Sequence, residues 1–283
     1  MLSLDPKALT IPVLQKYLQN AVAPRPICFA STVDKNGDPN LAPFSFFNIF
    51  SSNPPIAVFS PAYSGRTGAA KDTLNNVREV PECVINVVNY DMVQQTSLAS
   101  SPFAKGVNEF VKAGFTQLPS DLVKPPRVKE SPVQMECRVI EVKELGKSGG
   151  AGNLVICEII KIHISETVLN EANYIDTRKI DLVARMGDNW YCRASGDALF
   201  EVEKPITSIG IGIDKIPEEI KTSPILTGNN LGLLASVEAL PTEDEASAFK
   251  MNMSSFSNKE DKHLFAKSLL ETNKVKEAWM VLM

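Results

Sequence analysis

The chain has 283 residues, 44% hydrophobic and 22% charged, which is ordinary globular usage and excludes disorder, collagen-like repeats and coiled coil. Its formal charge of −4 comes from Glu201 onward, where 13 acids face 9 lysines; the first 200 residues hold 20 of each sign, so neither part has the basic excess of a nucleic-acid binder. No apolar run nears the ~20 residues of a membrane span, no secretory leader is visible at the start, and five scattered cysteines without a CxxC pair fit a reducing cytoplasm rather than a zinc site.

Pro26 to Val33 is β-prone and ends at Asp34-Lys-Asn-Gly-Asp-Pro39, a strong turn signal, so Asn40 to Asn48 is expected to return as its hairpin partner. Pro54-Pro55 should block pairing, and Ile56 to Ser60 should form a third short strand. After the loop Ser64 to Gly68, the spacing of Ala70, Leu74 and Val77 predicts a helix over 69–80. Cys83 to Asn89 reads as a buried strand, and Asp91 to Ser100 as a second helix. Residues 101–131 are proline-rich and irregular, a length typical of lids or dimer arms. Val133 to Leu145 and Leu154 to Glu166 flank a glycine-rich turn as the longest hairpin, and Asp181 to Arg193 closes the region. Six or seven strands beside two short helices, without βαβ alternation, favour a mainly β chain with a Greek-key barrel. Residues 201–283 change character and form an expected helix-containing C-terminal extension, with Ser257 and Glu260 spaced as a capping box.

Two nucleotide-site look-alikes fail. Gly146-Lys147-Ser148 has Glu141 where a phosphate loop needs glycine, and it joins two strands. Gly210-Ile211-Gly212 lacks the third glycine and the strand-turn-helix frame of a dinucleotide site. The informative segment is Ala23 to Pro61, where Ser31, Thr32, Ser45, Asn48, Ser51, Ser52 and Ser60 alternate with apolar strand positions. Such donors suit a ligand with a flat apolar body and a polar tail; the other reading is that they satisfy local backbone groups. Lys71 falls in the first helical turn, where a cation opposes the macrodipole unless an anion docks there. The helix amides, Lys71 and the Thr73 hydroxyl then form a phosphate cradle, with Arg66 in the preceding loop within reach; a solvated lysine is the alternative.

The pattern RPI…STVD…G.PN.APFSFFN…S.PP…FS followed by KDTL.N resembles the flavin reductase-like family with the FMN-binding split-barrel fold, which includes flavoredoxins. Asn108 to Cys137 and Val183 to Tyr191 are similar to two later family segments, so the resemblance covers roughly residues 5–200. It implies a split β-barrel over 1–200, a homodimer, and one FMN per subunit near the interface. By motif position Ser31 and Thr32 lie along the flavin, and Ser45, Phe46, Phe47 and Asn48 meet its ring or ribityl chain. Ser51, Ser60, Lys71 and Thr73 approach ribityl and phosphate, and Asp72 orients that corner. Glu109, Phe110, Arg185 and Tyr191 stand nearer the active face. The implied activity is hydride transfer from NAD(P)H to FMN and onward to a small molecule or redox protein. Flavin chemistry asks little of side chains, so no catalytic acid, base or metal is assigned. One departure bears on the donor: where the resemblance implies the Gly-Asp-His segment that short two-component flavin reductases carry for nicotinamide binding, this chain has Val155-Ile156-Cys157-Glu158, and His163 reads as an ordinary strand histidine. An electron carrier without NAD(P)H oxidation, or a non-catalytic module whose extension meets a partner, are the other functions considered.

Overall fold

The computed structural model describes residues 1–65, 67–251 and 256–283, so Arg66 lies outside the described residues. The chain divides into two compact units, Met1–Phe200 and Glu201–Met283.

The first unit begins with α1 (Ile11–Ala21), which carries a proline in its first turn, where a missing N–H costs nothing. The sequence reading passed over this helix. Strand β1 (Cys28–Val33) turns back into β2 (Pro39–Phe44), with Asp34 Oδ1 accepting the Asn36 and Asp38 amides at 2.8 and 3.0 Å. The expected continuous return strand over 40–48 is broken at Ser45-Phe46. Beyond the break, β3 (Phe47–Ser52) pairs with β4 (Pro55–Phe59), and Ser52 opposite Pro55 closes the hairpin that the two prolines were expected to prevent. Helix α2 (Asp72–Glu79) follows, then β5 (Glu82–Val87), α3 (Val93–Ala99), α4 (Glu109–Ala113) and the short pair β6 (Gln117–Leu118) and β7 (Arg127–Val128). The long hairpin is β8 (Val133–Glu144) and β9 (Asn153–Ile164), and β10 (Val183–Arg185) with β11 (Tyr191–Arg193) completes the unit.

Seven of these strands form one antiparallel sheet in the order β2-β1-β5-β8-β9-β4-β3. Its two edges, β2 and β3, are joined by only Ser45 and Phe46. A flat sheet would separate the edges by roughly 29 Å, whereas the three Cα steps from Phe44 to Phe47 span at most about 11 Å. The sheet must therefore roll. The edges meet without pairing, so the barrel stays open along this seam.

Strand alternation builds two cores. Cys28 and Ala30 face inward with Phe59, Ile85 and Val155, and Leu74 and Val77 of α2 plug that side. Ile27, Phe29 and Leu41 face outward beneath Met92 and Phe110. Covered on both faces, β1 buries all six of its residues, the polar Ser31 and Thr32 included. Cys28, Cys83, Cys137 and Cys157 converge in the inner core as free thiols, with Cys83 Sγ 3.7 Å from Cys157 Sγ. All four pKa values lie above the ordinary thiol range, Cys28 by burial and Cys137 by its hydrogen bond with Cys83 and then burial. In Cys83 and Cys157 one thiol hydrogen bond lowers the value but is outweighed, by the bond to Cys157 with burial in Cys83 and by burial in Cys157, so the four pack as neutral groups.

The second unit contains α5 (Glu218–Lys221), α6 (Gly228–Ala235), α7 (Glu243–Lys250), α8 (Lys259–Glu271) and α9 (Val275–Leu282). Trp279 is buried among Ile216, Ile220, Leu234 and Leu270, and its Nε1 donates to the Leu234 carbonyl at 2.8 Å. The cap of α8 is Asn258, accepting the Asp261 amide at 2.8 Å, rather than Ser257. Asn273, at φ +56°, lies in the turn between α8 and α9. Gly210 has a packing reason: a Cβ there would lie 2.4 Å from the Ala235 carbonyl oxygen.

Candidate functional site

The seam between β2 and β3 gathers much of the expected site. Ser60 follows β4 directly, and its amide donates to the Phe46 carbonyl at 2.9 Å. Its hydroxyl accepts the Asn153 amide at 3.1 Å, and Gly152 lies so close that a Cβ would come within 2.7 Å of Ser60 Oγ. Phe47 packs partly into the inner core, while Phe46 and Asn48 stay exposed and Ser45 and Ser51 are half-buried. The Asn48 side chain only accepts its neighbour's amide, from Ile49 at 2.8 Å. Ser51 Oγ accepts from the Asn53 amide at 3.3 Å.

Lys71 reaches the same seam from the other side. It is the N-cap of α2, one residue before the helical turn where the sequence placed it. Its ammonium stands 5.4 Å from the Phe44 ring centroid, and Phe44 packs against Phe59 at 5.3 Å. Lys71 is exposed as a residue, yet protein around its ammonium pushes its pKa below the ordinary value by desolvation. No side chain caps α2, and among the described residues no carboxylate pairs with Lys71. An unpaired ammonium thus adds to the positive end of a helix whose first amides are open. Those residues fit a phosphate, which would satisfy both at once. Asp72, half-buried in the first turn, is the nearest acid in sequence.

Other expected contacts lie elsewhere. Ser31 and Thr32 are adjacent on β1, so they point to opposite faces, and both are fully buried. Thr32 Oγ1 accepts from Asn76 at 3.1 Å and Asn40 at 3.4 Å, and Thr73 Oγ1 accepts from Asn40 at 2.9 Å. This network pins α2 against β1 and β2. Thr32 and Thr73 are 0% and 1% exposed, so both hydroxyls are enclosed within this network beside the Lys71 corner. Ser31 Oγ has no hydrogen-bond partner. Glu109 accepts the Leu41 amide at 3.0 Å; burial, with Asp72 adding repulsion, raises its pKa. Phe110 is core.

Sequence reasoning missed Arg25. It is 6% exposed, and its guanidinium donates to the Gln19, Val22 and Met186 carbonyls, the last two at 2.7 Å, and weakly to Ser45 Oγ at 3.4 Å. It thereby satisfies the carbonyl end of α1 and ties it to the seam. The only signal was an arginine held between prolines. His163 is likewise tied down: its Nε2 lies 2.6 Å from Oε1 of the fully buried Glu136, which also accepts the Asp121 and Leu122 amides at 2.9 and 2.6 Å. Asp121, Glu136 and His163 bring ligand-type atoms within 4.8 Å of one another, but backbone amides and Lys161 already engage the two carboxylates.

Residues 21–182 match the family described as flavin reductase like domain. An uncharacterized protein of Aquifex aeolicus is 34% identical over 190 residues, covering 67% of this chain and 94% of its own length. Nitrilotriacetate monooxygenase component B from Bacillus cereus superposes with a TM-score of 0.66 at 29% identity, covering 71% of this chain and 98% of that one. The 2-nitrobenzoate 2-nitroreductase NbaA of Pseudomonas fluorescens gives 0.64 at 25%, over 74% and 100%. With its rolled antiparallel sheet and a family match over more than half its length, the chain belongs to the flavin reductase-like family.

Proposed function

We propose that the first unit, closing as a Greek-key split barrel, holds FMN at the β2–β3 seam and works as an FMN-dependent oxidoreductase. NAD(P)H is the proposed electron donor, and a small molecule or redox protein the acceptor. The observation that carries this reading is Lys71, a cation without a counter-ion among the described residues, at an uncapped helix start beside the seam. Bound there, FMN would supply hydride acceptance and electron release. The chain's own work is to bind and align. Lys71 and the first amides of α2 take the phosphoryl end, Ser45, Asn48, Ser51 and Ser60 offer donors and acceptors along the seam, and Phe46 and Phe47 give it an apolar wall. A homodimer is part of the proposal, supported by uncovered apolar side chains on α1 and β3: Ile11, Leu18, Ile49 and Phe50 are all exposed. Reduced cysteines and the absence of a membrane-length apolar helix among the described residues accord with a cytoplasmic setting.

His163 favours a second reading, an electron carrier that NAD(P)H reduces poorly, because its ring is already bound to Glu136. One experiment separates the two. Purified full-length protein should bind FMN and show its visible absorption, and anaerobic NADH or NADPH should bleach it. Bleaching only by another redox protein establishes the carrier; a colourless protein with no FMN uptake overturns both.

A further inference from the structure

A cavity of about 380 Å³ opens between α3, with the turn before it, and the β10–β11 hairpin. Its walls carry two guanidinium–aromatic stacks: Arg193 lies 3.7 Å from the Tyr90 ring centroid, and Arg185 lies 4.6 Å from that of Tyr191. Gln94 and Asn189 add amide groups to the lining. The two arginines differ in charge balance. Arg193 is neutralised by a two-point pairing with Asp181 at 2.8 and 2.6 Å. Arg185 donates to the Asp188 carbonyl at 2.7 Å and has no carboxylate partner among the described residues, since the Asp188 carboxylate pairs with Lys16 at 3.4 Å. Arg25 is backbone-bonded to Arg185 at 2.9 Å and also lacks an acid partner. Burial first, and the Arg185 charge second, lower the Arg25 pKa, which shows two cations sharing one neighbourhood. Asp91 also stands near Arg193, which leaves Arg185 as the cation of the lining without a carboxylate partner among the described residues.

We propose that this cavity is a second ligand site, selective for a flat aromatic ring that carries a carboxylate or phosphate. The ring stacks on the tyrosine faces, and the free edge of the Arg185 fork takes the anion. The volume falls in the range of ordinary small-molecule sites. Arg185 and Tyr191, which the resemblance sets nearer the active face, line this cavity; it shares no lining residue with the Lys71 corner, and the inference stands whether or not FMN binds there.

The test is calorimetry on the full-length chain, with and without added FMN, titrating benzoate and adenosine monophosphate beside their neutral counterparts benzamide and adenosine. At least one acid should bind saturably, about tenfold or more tightly than its neutral counterpart, with the same Kd in the presence of FMN. Benzoate alone identifies an aromatic-acid site, and the nucleotide alone a nucleotide site. Arg185→Gln should weaken binding about tenfold or more. Ser97→Phe, which fills the cavity from an exposed helix face without touching either core, should do the same with unchanged thermal unfolding. The proposal is overturned by no saturable heat at millimolar ligand, by equal binding of the neutral counterparts, by competitive displacement with FMN, or by unaltered affinity in Ser97→Phe.

Discussion

At Lys71 two positive charges of different origin coincide: an ammonium, and the open amides of a helix start that no side chain caps. Proteins avoid that coincidence unless an anion resolves it. Replacing Lys71 with Ala should weaken FMN retention by roughly 1.5–3 kcal/mol, on the order of ten- to hundredfold in Kd. The same change should leave thermal unfolding of the flavin-free protein unaltered or slightly raised. Fluorescence titration of FMN checks it, and equal affinity would remove Lys71 from the site. This residue was legible because charge type and helix position are both one-dimensional facts. What Thr73, two residues later, touches was not legible, for a three-dimensional reason: its hydroxyl accepts from Asn40, on a strand more than thirty residues away. Ser31 and Thr32 carried a warning in the sequence itself, since strand alternation forbids neighbours from sharing a face.

Among the elements, β1, its Asp34 turn, α2 and the long hairpin were legible because each rests on local pattern: apolar runs, a turn tetrad, helical spacing. The break at Ser45-Phe46 was not. No glycine or proline marks it, and what ends β2 is the closure of a sheet whose far edge arrives from β4. Helix α1 went unread although Ile11, Leu14 and Leu18 carry helical spacing with Pro12 in the first turn, and its register says nothing of Arg25, the residue that secures its end. The β8–β9 hairpin has a further role, because Glu136 on β8 and His163 on β9 anchor the 119–127 loop. Burial raises the Glu136 pKa, but hydrogen bonds from the Asp121 amide, His163 and the Leu122 amide outweigh it, leaving the folded value below 4.5. A depressed carboxyl pKa stabilises above its unfolded value and ceases to do so as pH falls through the folded one. Glu136→Ala should cost about 1–3 kcal/mol in denaturant unfolding, because His163 and the Asp121 and Leu122 amides lose a fully buried acceptor. Hydrogen exchange at Asp121 and Leu122 should accelerate while α2 stays protected. Unchanged protection at those amides would show that the loop is held by other contacts.

For the whole molecule, the family match ends at residue 182 and the second unit keeps its own core around Trp279, so its stability is separable from any flavin chemistry. That unit contains a titrating group of its own. His263 is 3% exposed, with Nδ1 2.7 Å from Ser223 Oγ. Burial first, then the charges of Lys259 and Lys262, lower its pKa from 6.5 against the opposing pull of Glu219. The folded imidazole is therefore neutral where the unfolded one has begun to bind a proton. More protons on the unfolded state means that stability rises with pH: the contribution is complete above about 6.5 and shrinks as the solution is acidified below it. Trp279 reports this selectively, since it is buried in the second unit whereas Trp190, the other tryptophan, is 75% exposed in the first. Its emission should lose thermal stability between neutral pH and pH ~5, and His263→Gln should flatten that dependence while lowering stability at neutral pH. If the variant melts with the wild-type pH profile, acid sensitivity of the helical unit arises from another group and His263 is a spectator of its packing.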